Sequence, residues 1–144
     1  MTNTETLQPS GSRKVLRRIG AVLGGLVLVV ILDVSIDVVM HATGVYPPWL
    51  KPMSTSLWLF ATAYRMIDGT IGGYVAAWLA PDWPIAHALA LGVIGLLLSS
   101  AGAIASWSQD PEFGPKWYPL ALVVVSLPCA CLGGFLRARQ LRAR

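Results

Sequence analysis

Five side chains with chemistry to offer, Asp33, Asp37, His41, Arg65 and Asp68, lie within or at the edge of long apolar runs. A charge at the centre of a bilayer costs about 3 kcal/mol or more, so such residues must face protein or water. Asp33, Asp37 and His41 follow one another at i, i+4 and i+8, a single stripe on one helix. With Met40 and Leu57 as the outer edges of the first two runs, Asp33 and Arg65 both lie about 10–12 Å deep by helical rise. An Asp33–Arg65 ion pair, shared with Asp37, is therefore the expected centre. Asp68, three residues beyond Arg65 and near the midplane, is a second partner for the arginine.

Arg65 stays protonated, so Asp33, Asp37, Asp68 and Arg65 carry a formal sum of −2. At least one carboxyl is then expected to be protonated or to reach water, since desolvation favours the neutral acid. Three roles are open: a register-fixing ion pair between two helices, a proton or cation pathway, or a contact with a subunit or partner. His41 sits near the outer surface and adds a group that titrates near neutral pH; it reads as interfacial polar trim.

The elements that must position these groups are four apolar stretches, at about 19–39, 57–79, 85–105 and 120–136. Each is close to the roughly 20 residues needed to cross the hydrocarbon. With 55% hydrophobic and 12% charged residues, the composition is that of lipid-facing surface. The expected fold is all-α, a polytopic membrane protein of four transmembrane helices in two hairpins. Residues 13–137 form the membrane domain, 1–12 a disordered polar lead and 138–144 a basic tail.

Charge sets the orientation. Of the 11 Lys and Arg residues, Arg13, Lys14, Arg17 and Arg18 precede the first stretch and Arg137, Arg139, Arg142 and Arg144 follow the last. Basic flanks stay inside, so both termini read as cytoplasmic. The net charge of +4 is a topology signal here and does not point to nucleic acid. The first stretch is too long for a secretory signal and no small-x-small cleavage site follows it.

Aromatic residues gather where headgroups are expected, with Tyr46, Trp49 and Trp58 around the first outer loop, Trp78 and Trp83 at the inner turn, and Trp107, Trp117 and Tyr118 around the second outer loop. Small residues recur four apart at Gly20/Gly24, Gly69/Gly73, Ala76/Ala80, Ala101/Ala105 and Ala130/Gly134, the spacing of close helix contacts. Gly72-Gly73-Tyr74 is echoed by Gly133-Gly134-Phe135. Pro128 removes a backbone hydrogen bond within the fourth stretch and is expected to kink it. Cys129 and Cys131 point about 200° apart on a helix, which suits packing and not a shared metal.

No H-E-x-x-H, G-x-S-x-G, Walker loop or C-x-x-C is present, and no nucleophile stands beside a base. The chain reads as no enzyme, with no cofactor, no metal site and no catalytic residue. Its partners are the lipid bilayer and, through small-residue faces, a second copy or another membrane protein.

The run Tyr64-Arg65, then Gly72-Gly73-Tyr74-Val75-Ala76-Ala77 and Leu79-Ala80-Pro81, followed by Pro84 and His87-Ala88, resembles small four-span bacterial membrane proteins with no known activity. Trp117-Tyr118-Pro119 and Pro128 with Gly133-Gly134 extend the likeness over the last three stretches. The resemblance implies four spans in a bacterial inner membrane and brings no substrate or catalytic residue. The chain is also similar in size and span number to small multidrug transporters, but lacks their membrane Glu in the first helix. The expected function is a non-enzymatic membrane accessory or structural protein with an ion-paired core. The alternative is a small oligomeric proton- or cation-coupled transporter or channel using the intramembrane carboxylates.

Overall fold

The computed structural model describes residues 11–49, 51–108 and 114–143, and these form four helices: α1 (Gly11–Ala42), α2 (Thr55–Leu79), α3 (Pro84–Ser106) and α4 (Trp117–Arg142). Three of them, α1, α3 and α4, are long and apolar enough to cross a membrane. Consecutive helices run antiparallel. The start of α1 meets the α2–α3 turn through Arg18 and Asp82, whereas Tyr74 and Gln140, each near a helix C-terminus, meet across parallel α2 and α4.

α2, the one described helix outside that set of three, takes the middle position and packs against α1, α3 and α4. Among the described residues α1 does not approach α4. The polar residues of α2 are thus turned towards other helices. Its buried stripe is Ala61, Tyr64, Asp68, Gly72 and Ala76, flanked by Gly73 and Ala77.

The interior is made of small side chains. Leu91 is the one large aliphatic residue buried among the described residues, while Val27, Val30, Ile31 and Val34 of α1 and Leu97, Leu98 and Val124 elsewhere point outward. In lipid there is no hydrophobic drive between helices, so the gain comes from backbones that approach closely. A Cβ on Gly25 would meet the Gly72 carbonyl at 2.7 Å and Ala76 at 2.8 Å. One on Gly73 would run into the backbone of Ala130, and one on Gly133 into that of Thr70 and Tyr74. One glycine of each echoed pair, Gly73 and Gly133, therefore packs on the other's helix, while Gly72 meets α1 and Gly134 meets α3.

Several expectations are corrected. Ala101 and Ala105 are exposed, so that pair marks no contact in this chain, and of Gly20 and Gly24 only Gly24 faces a neighbour, Leu79 of α2. α1 already begins at Gly11, which takes residues 11 and 12 out of the expected disordered lead; its remaining residues lie outside those described. The basic tail is helical through Arg142, as α4 simply continues. Pro128 lies inside α4, as its place in the fourth apolar stretch implies. Tyr46, expected as an interfacial anchor, is buried against Ala61 and Tyr64. Gly44, at φ +73°, makes this possible: the left-handed step ends α1 and folds the chain back so that the Tyr46 N–H donates to the Met40 carbonyl at 2.9 Å.

Candidate functional site

The α1–α2 interface brings Asp33, Asp37, Arg65 and Asp68 together. Asp33 and Asp37 share one face of α1, and Tyr64, Arg65 and Asp68 meet them from α2. The arginine chooses Asp37: its Nη2 donates to Oδ2 of that residue at 2.7 Å. Nη1 stands 3.7 Å from Oδ2 of Asp33, an ion pair without a hydrogen bond. The expected order of partners is thus reversed. The reason is the tyrosine beside the arginine, because the Tyr64 hydroxyl donates to the other Asp37 oxygen and the carboxylate is held from both sides.

Tyr118 of α4 completes the junction. Its ring centre and that of Tyr64 lie 6.0 and 5.9 Å from the guanidinium carbon, within range of cation–π attraction. Arg65 therefore ties α1 to α2 by charge and α2 to α4 by ring contact. The Arg65 side chain is 26% exposed, so the charge is neither open to solvent nor sealed.

Asp68 is not the second partner of Arg65. It is 3% exposed, and no ion pair joins it to the arginine. Asp33 Oδ1 and Asp68 Oδ2 are both buried and receive no hydrogen bond from a donor. His41 is nearby but separate: its Nδ1–H donates to the Asp37 main-chain carbonyl at 2.8 Å and its ring stacks on Trp49 at 3.6 Å.

Three cavities converge on Arg65. A vestibule of about 660 Å³ lies among α2, α3 and α4 at the α3–α4 loop end, with Trp58, Trp107, Lys116 and Tyr118 in its wall. A second, of about 330 Å³, lies beneath the α1–α2 loop and includes Asp37, His41 and Tyr46. The third, of about 140 Å³, sits between all four helices and is lined by Asp33, Arg65, Gly69, Ser99, Ser126 and Cys129.

Outside the apolar stretches, perturbed groups stand at both ends of the bundle. Burial pushes the Tyr46 phenol above its ordinary value. At the opposite end Arg18 donates to Asp82 through Nε at 3.1 Å, and that hydrogen bond holds the Asp82 carboxyl below the usual carboxylate range.

The sequence reading did not place Tyr64 and Tyr118 at the charge, nor Ser99 and Ser126 at the cavity, and it did not pair Arg18 with Asp82. For Tyr64 the signal was there: residues 61, 64, 68, 72 and 76 repeat at helical spacing with small or polar types, the buried stripe of α2. Nothing comparable marks Tyr118 or the serines, whose roles depend on how α3 and α4 meet α2. Comparison with protein families, with curated proteins and with solved structures finds no match to this chain.

Proposed function

We propose that the chain is a four-span, non-enzymatic protein of a bacterial inner membrane, with both termini cytoplasmic, that serves as an accessory or structural component. The observation that carries this reading is the Arg65–Asp37–Tyr64 junction, backed by Tyr118, which joins three of the four helices at one point. α2 counts as the fourth span because its neighbours on three sides cover its polar residues. The basic residues at the start of α1 and the end of α4 lie at one end of the bundle, as a common cytoplasmic side requires.

A second reading, a small proton- or cation-coupled transporter or channel, is favoured by one observation: the loop-end vestibules and the central cavity share Arg65, and the cavity reaches Asp33. Proton uptake by proteoliposomes under a pH gradient separates the two. The structural reading expects no uptake, and expects a fold lost in Arg65→Gln to return when Asp37→Asn is added. Uptake abolished by one Asp→Asn change in a still-folded protein favours the transporter.

A further inference from the structure

At the terminal end of the bundle, a groove of about 600 Å³ runs between α1 and α3, with Ile19, Val22 and Leu23 on one wall and Ala90 and Ile94 on the other. Ile19, Leu23 and Ala90 are exposed, so the groove opens sideways. Both helices are long and apolar enough to cross a membrane. An apolar groove that opens into a bilayer fills with hydrocarbon, because water in it would lack polar partners.

The outer end of the groove is polar and positioned. Asp82 takes Nε and Nη2 of Arg18 at 3.1 and 2.5 Å, which fixes the fork and leaves Nη1 for another acceptor. Lys14 lies one helical turn from Arg18 on the same face of α1, so Asp82 offsets one of two cations. Across the whole end, the four cations of α1 and the three of α4 stand against this one acid among the described residues.

Trp83 lines the same groove with a strained backbone. Its φ of +49° is rare for a bulky residue and disfavoured before a proline, and Pro84 follows it. The Trp83 carbonyl holds the turn by accepting from the N–H groups of Ala86 at 2.9 Å and His87 at 3.4 Å and from His87 Nδ1 at 3.1 Å. The outcome is an indole 75% exposed beside the groove, and such rings sit at the level of headgroups. Strain of this kind persists where a site needs a side chain placed.

We infer that this groove binds one anionic phospholipid from the leaflet on the terminal side, with a phosphate oxygen on Arg18 and one acyl chain lying along α1 and α3. Hydrocarbon suits the walls and negative charge suits the rim; Trp83 marks the boundary between them. The inference requires only that α1 and α3 lie in a membrane, so it stands apart from the accessory and transporter readings.

Native mass spectrometry of the full chain tests it, with the protein delipidated in detergent and titrated with equimolar phosphatidylglycerol and phosphatidylethanolamine of the same acyl chains. The wild type should retain one phosphatidylglycerol in preference to phosphatidylethanolamine by about fivefold, for the one cation in excess. Arg18→Gln should abolish that preference. Ala90→Phe, which fills the groove from an exposed position, should remove the retained lipid, whereas Ala101→Phe and Arg139→Gln, exposed and outside the groove, should match the wild type. Equal retention of the two lipids by the wild type, which needs no variant to fold, overturns the inference. A loss in Arg139→Gln as large as in Arg18→Gln also overturns it, by making the attraction a property of the whole basic end. A loss confined to Arg142→Gln moves the lipid to the smaller groove between α3 and α4 and overturns the site. Wild-type dimers that disappear in Ala90→Phe give the groove to a second copy and overturn the lipid.

Discussion

Arg65 donates to Asp37 at 2.7 Å, although Asp33, the carboxylate expected from helical rise to lie level with it, stands a full ångström further off. Depth is a coordinate along one axis. The choice between the carboxylates is made around that axis, by Tyr64, which grips the far oxygen of Asp37 and leaves Asp33 on the wall of the central cavity.

Tyr64→Phe removes the second hydrogen bond on Asp37 while keeping the ring under Arg65. Hydrogen bonds to charged groups are worth about 1.5–3 kcal/mol, so unfolding in mixed micelles should show a loss of about that size. An unchanged midpoint would mean that Asp37 needs Arg65 alone.

The glycine contacts make a sharp contrast between positions of the same type. Gly73→Ala places a methyl against the Ala130 backbone, where nothing flexible can yield, and should cost about 1–3 kcal/mol or prevent folding. Gly20→Ala meets nothing and should stabilise α1 by up to about 1 kcal/mol through helix propensity. Thermal unfolding of both variants checks the pair, and equal effects would place Gly73 away from α4.

At the terminal end Asp82 responds to pH through Arg18. Its folded-state acidity is strengthened, so the contribution of the pair is present above the ordinary aspartate pKa of about 3.9 and is lost as pH falls through the lower folded value. The pair is exposed, so the effect should be small and weaken with salt. Stability measured on descending from pH 6 should fall more steeply in the wild type than in Arg18→Gln. Parallel curves would show that the pair makes no contribution to folding.

Much of the architecture could be read before the structure, and the boundary is physical. Helices α1, α3 and α4 announce themselves because lipid exposure demands a continuous apolar run. The intramembrane charges stood out for the same reason in reverse. What one helix's sequence could not convey is rotation: Gly20 and Gly73 are both half of a four-apart pair, yet one faces outward and the other touches α4. Asp37 and Asp33 share a stripe, yet the tyrosine on the neighbouring helix decides which takes the arginine. The Arg18–Asp82 pair joins residues that are far apart in sequence and became visible once α1 and the α2–α3 turn were in place.

The most direct measurement is a pair of double-mutant cycles on unfolding free energy, combining Arg65→Gln with Asp37→Asn in one and with Asp33→Asn in the other. The geometry predicts a coupling of about 1–3 kcal/mol for Arg65 with Asp37 and a clearly smaller one with Asp33. Additive effects for Arg65 and Asp37, or a larger coupling to Asp33, would contradict the junction on which the account rests.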